Sequence, residues 1–72
     1  MVMKAFKEGT DEWVQLGDTV TDFRGDTAVL TCCTRVRGDG RTGKVCVRWD
    51  STDRVSEYYD TVFDLEVREV EL

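Results

Sequence analysis

The chain contains no histidine, no proline and no asparagine, and only three of its 72 residues are cysteine. Without histidine, the commonest general base and the commonest metal ligand are both missing, and Ser–His or Cys–His constellations are impossible. Without proline, the clustered Tyr and Pro residues that build a proline-ligand surface are missing too. An odd cysteine count with Cys32 and Cys33 adjacent is a poor disulfide framework, so reduced thiols are expected. Zinc usually takes four ligands paired as C-x-x-C, and no metal site or cofactor is expected from this set. No run approaches the ~18 apolar residues of a membrane span. The opening Met1-Val2-Met3-Lys4-Ala5-Phe6-Lys7 lacks the apolar stretch of a signal peptide. The expectation is a soluble, cytoplasmic protein with no membrane partner.

What is present suits a small packed domain. Hydrophobic residues make up 40% of the chain, mostly Val, Leu and aromatics, so a core is feasible despite 35% charge. A domain this short hides only about 60% of its unfolded surface, which rules out a Rossmann enzyme or a TIM barrel. Residues 1–72 are read as one domain, with 1–12 a loosely attached N-terminal segment.

Glycines at 9, 17, 25, 38, 40 and 43 divide the chain into short runs rich in Val, Thr, Cys, Trp and Tyr, which favour strands. Strands are predicted over 14–16, 19–23, 27–36, 44–50, 54–59 and 65–70. Alternation is cleanest at 44–50, with Val45, Val47 and Trp49 inward and Lys44, Cys46, Arg48 and Asp50 outward. Over 27–36 the same period places Leu30 and Cys32 inward, which would bring Cys33 and Cys46 together on the outer face; the preferred reading is that all three cysteines are small apolar fillers. Arg24-Gly25-Asp26 reads as a tight turn and 37–43 as a glycine-rich loop. Asp60-Thr61-Val62-Phe63 reads as a helical turn capped by Asp60. A competing reading makes 55–72 a C-terminal helix, against which its β-branched content counts. The pattern predicts an all-β fold, a small SH3-like barrel of about five strands with a short helical turn before the last. An OB-fold is the structural alternative.

The ordered series Gly17-Asp18-Thr19-Val20-Thr21-Asp22-Phe23-Arg24-Gly25, then Gly43-Lys44-Val45, Tyr58-Tyr59 and Val62-Phe63, resembles small SH3-like proteins of actinobacteria and their phages. The likeness covers about residues 13–70 and implies a fold and a phage or prophage accessory role, with no known activity. Separately, Val47-Arg48-Trp49-Asp50 and Asp64-Leu65-Glu66-Val67 are similar to the closing half of SH3-like and Tudor-like modules.

Two motifs dissolve on inspection. Gly38-Asp39-Gly40-Arg41-Thr42-Gly43-Lys44 matches the start of a phosphate-binding loop, but Val45 replaces the magnesium-binding Ser or Thr. A strand pattern follows instead of a helix, so this is a hairpin loop. Arg-Gly-Asp occurs at residues 24–26 and 37–39, in both cases a turn. No EF-hand spacing and no evident carboxylate pair is present, and the chain is read as no enzyme.

Charge carries the most functional content. Ten Lys and Arg oppose fifteen Asp and Glu, for a net −5. The distribution is uneven: 35–49 carries +4, while 1–34 carries −3 and 50–72 carries −6. The expected binding surface therefore combines Arg35, Arg37, Arg41, Lys44 and Arg48 with exposed members of Trp13, Tyr58 and Tyr59. Adjacent tyrosines on a strand must face opposite ways. The preferred function is a protein-interaction module, with self-association a further option for so small a domain. The alternative is nucleic-acid binding by the hairpin 35–48, against which the net acidic field acts. Pairing of the hairpin arginines with Glu57, Glu66 or Glu69 is the bland competitor.

Overall fold

The computed structural model describes residues 2–71. Among these, β1 (Val2–Lys7), β2 (Trp13–Val14), β3 (Thr19–Thr21), β4 (Thr27–Arg35), β5 (Lys44–Trp49) and β6 (Val55–Tyr59) are followed by a 3-10 turn, Asp60–Phe63, and β7 (Leu65–Val70). Every pairing is antiparallel. The strands form two sheets, β2-β1-β7 and β3-β4-β5-β6, rather than one closed ladder. The fold is all-β, and the closed barrel expected from the sequence gives way to two open sheets packed on one core. Among the described residues, no helix is long and apolar enough to cross a membrane.

Alternation decides what is buried. On β5, Val45 and Val47 are fully buried while Arg48 is exposed, and on β7 Leu65 and Val67 point inward. With Ala5, Val20, Ala28, Leu30 and Phe63 they form the core. Full burial of each Val or Leu contributes about 1.5–3 kcal/mol. Trp49, Tyr58 and Phe63 close one end of it with ring centroids 5.5–6.0 Å apart. The Trp49 Nε1–H donates to the Tyr58 hydroxyl at 3.0 Å, so the indole's polar atom is satisfied.

Two further sequence expectations are corrected. Residues 2–7 are not loosely attached: they form the central strand of their sheet, flanked by β2 and β7. Only Ala5 of that strand is buried, so its apolar pattern was too thin to announce it. The C-terminal segment is two strands around a single turn, as the sequence predicts, and the competing helix does not form. Cys32, not Cys33, stands opposite Cys46, because the β4–β5 register slips by one residue between Leu30 and Cys32. Thr31 is the extra residue of this bulge, and its hydroxyl donates to the Cys46 carbonyl at 3.0 Å. The slip turns Cys33 inward against Val45 and leaves Cys32 outside.

Candidate functional site

The expected basic surface is largely occupied by the protein itself. Arg37 Nη2 donates to Asp60 Oδ1 at 2.9 Å, to the Leu65 carbonyl at 3.0 Å and to Glu8 Oε2 at 3.1 Å. Its Nε is buried without an acceptor among the described residues. Asp60 is fully buried, and its other oxygen, Oδ2, accepts the Val67 N–H at 3.0 Å. The Asp60 carboxylate therefore does not cap its own turn, as the sequence suggested; Tyr59 holds the cap position and makes no side-chain bond. Partnership with Asp60 first, and with Glu8 after burial has opposed it, holds the Arg37 guanidinium above its ordinary pKa. Gly43 is required beside this pair, since a Cβ there would lie 2.5 Å from Asp60 Oδ2 and 2.9 Å from the Arg35 carbonyl.

The remaining hairpin cations are mostly engaged as well. Arg35 grips the Thr42 carbonyl through Nε and Nη2 at 2.9 and 2.6 Å. Lys44 approaches Glu57 at 3.5 Å and Arg48 approaches Asp53 at 3.3 Å, both solvent-exposed pairs of small energetic weight. Arg41 has no carboxylate partner among the described residues. Of the expected acids, Glu57 pairs with the hairpin; Glu66 goes to Arg68, and Glu8, Asp53 and Asp60 were not foreseen.

The aromatics separate. Tyr58 packs inward on Trp49, while Tyr59 faces out with the Lys44 ammonium 5.3 Å and the Arg35 guanidinium 6.0 Å from its ring centroid. Trp13 lies on the other sheet, so the structure does not join it to the tyrosines or the hairpin.

Trp13 belongs to a different surface. The β1–β2 ladder covers only Ala5 and Phe6; after Val14 the chain leaves β1 and crosses to β4, where Gly17 N–H donates to the Leu30 carbonyl and Leu30 N–H to Asp18. This divergence opens a groove of ≈ 350 Å³ lined by Val2, Met3, Lys4, Ala5, Trp13, Val14, Leu16 and Cys33. Trp13 is 48% exposed, Leu16 61% and Met3 43%. The Lys4 Nζ rests 3.8 Å from the Trp13 ring centroid and makes no ion pair among the described residues. Val2, Met3 and Lys4 pair with β7 on one side and have no ladder partner on the other among the described residues. Cys32, Cys33 and Arg35 of β4 likewise pair with β5 and with no other strand among the described residues.

A larger cleft of ≈ 510 Å³ between the residue 7–10 turn, β3 and Asp64 is edged by threonines and charged side chains, with no exposed aromatic. Phe23, 81% exposed, stands apart on a turn organised by Asp22. Asp22 Oδ1 accepts the N–H groups of Arg24 and Asp26, both at 2.9 Å. Burial acts to raise the Asp22 pKa, but these backbone donors and the Arg24 guanidinium outweigh it and hold it below the ordinary carboxylate value. Sequence reasoning missed Leu16, Met3 and Phe23 as exposed apolar residues, and Asp60 as a buried charge. The one usable signal was Gly17, which ends the Trp13–Leu16 run before it can complete a strand. No family model, curated protein or solved structure matches this chain.

Proposed function

We propose that this chain is a non-catalytic protein-binding module of SH3-like architecture, which takes an extended segment of a partner protein along the open edge of β1. Strand order supports the architecture: a 3-10 turn directly precedes the last strand, and that strand pairs with the first. One observation carries the function. An apolar groove bordered by exposed Trp13, Leu16 and Met3 runs beside backbone groups of Val2 to Lys4 that lack a ladder partner. Such an edge recruits a partner strand by main-chain hydrogen bonds, and the pockets beside it choose the side chains. The volume lies at the low end of ligand sites, enough for a few side chains rather than a cofactor. Lys4, the one charged residue of the lining, favours a partner segment carrying a carboxylate among apolar residues. A second copy of this acidic chain fits less well, given the net −5. An accessory role in a phage or prophage rests on the resemblance of residues 17–25 and their companions.

The test is selection from a library of random ten-residue peptides displayed on phage, followed by binding of the selected peptides to variants. Expected binders alternate apolar residues with one Asp or Glu, and lose at least about tenfold affinity on Leu16→Asp, a change worth on the order of 1.4 kcal/mol. Binders indifferent to Leu16→Asp but lost on Arg41→Glu would overturn the reading. So would a failure to select any peptide together with salt-sensitive binding of mixed-sequence DNA or RNA.

A further inference from the structure

The outer face of the four-stranded sheet carries a second feature that the groove does not use. Cys32, Cys46 and Glu57 stand in one row across β4, β5 and β6. Directly opposed residues of an antiparallel pair have Cα atoms about 4.5 or 5.5 Å apart, both inside the window a disulfide requires. The Thr31 bulge fixes this pairing, and the Thr31 hydroxyl pins it to the Cys46 carbonyl. All three cysteines are free thiols, and both cysteines of the row are partly exposed.

We infer that Cys32 and Cys46 form a site for reversible disulfide formation by exchange with a low-molecular-weight disulfide, while Cys33 remains a thiol. One thiolate of the pair attacks a sulfur of the small disulfide, breaking its S–S bond and releasing one small thiol. The second thiolate then attacks the mixed disulfide and expels the other small thiol. Two protein thiols are oxidised, one small disulfide is reduced to two thiols, and the two protons pass to the departing thiolates. Cys33 is excluded by direction, because it faces Val45 and the core.

The electrostatics fit a bond that forms slowly and then holds. Burial first, then the Cys32 thiol and the charge of Glu57, push the Cys46 thiol up to about 11. Little Cys46 thiolate is present at neutral pH, so its attack is slow. For the same reason reduced Cys46 gains little from ionisation, which favours the disulfide at equilibrium. The bond would close the loop that contains the Arg37 hairpin and fasten it at its base.

The experiment incubates the full chain with excess oxidised glutathione, then counts thiols in denaturant and maps the linked peptides. The expected result is one remaining thiol, a 32–46 linkage, and a melting temperature raised on the order of 10 °C. Cys33→Ser should give the same linkage and no remaining thiol, whereas Cys46→Ser should give none. Three persistent thiols, a stable glutathione adduct without an internal link, or a linkage through Cys33 would each overturn the inference.

Discussion

The two sheets meet along two borders of contrasting construction. At β7 they are joined by polar groups: Arg37 N–H donates to the Val67 carbonyl, Val67 N–H to Asp60 Oδ2, and Asp60 N–H to the Gly43 carbonyl. At the outer side of β1 they part around Trp13, Leu16 and Met3, and strand edges lie without partners among the described residues. The first border uses directional, buried hydrogen bonds that tolerate no gap. The second uses apolar side chains that any apolar partner can satisfy. A molecule this small thus uses the buried charge of Asp60 to hold its shape and leaves the other border open.

Breaking the polar border should have the largest effect. Asp60→Ala leaves the Arg37 guanidinium and the Val67 N–H without their buried acceptor, with an expected loss of about 3–5 kcal/mol in urea denaturation. For a domain of this size that approaches the whole stability. Gly43→Ala attacks the same border by volume, since its Cβ would meet Asp60 Oδ2 and the Arg35 carbonyl, and is expected to cost about 1–3 kcal/mol.

Asp22 sharpens the contrast from outside both borders. Its folded pKa is lowered, so its contribution is complete above the unfolded value near 3.8 and disappears as pH falls through the folded one. Asp22→Asn should therefore destabilise the protein at neutral pH, and the difference from the parent should shrink below that value in paired denaturation series. The smallest stability effect belongs to the open border. Leu16→Asp and Trp13→Ala replace exposed side chains and should change stability by no more than about 0.5 kcal/mol while removing peptide binding.

The same contrast explains what the sequence disclosed. The β4–β5 hairpin, the Arg24–Asp26 turn and the turn before β7 were legible because period-2 alternation and glycine placement are local signals. Asp60 was misread as a cap because its partners, Val67 and Arg37, lie 7 and 23 residues away. A one-residue bulge at Thr31 exchanged the faces of Cys32 and Cys33, and nothing in Thr31 itself announces a bulge. The charge pattern correctly located a cationic hairpin, yet its cations were balanced by acids such as Glu8 and Asp60 from distant segments. The groove escaped notice because it arises where β2 stops, and strand ends are set by tertiary pairing rather than by residue type.

The border left open at β1 is the surface we propose for binding. Amide chemical-shift mapping with a selected peptide tests it most directly. The account expects perturbations at Val2–Lys4, Trp13–Leu16 and Thr31–Arg35, with the residues around Asp60 unmoved. Perturbations confined to residues 37–43, around Arg41, would contradict it.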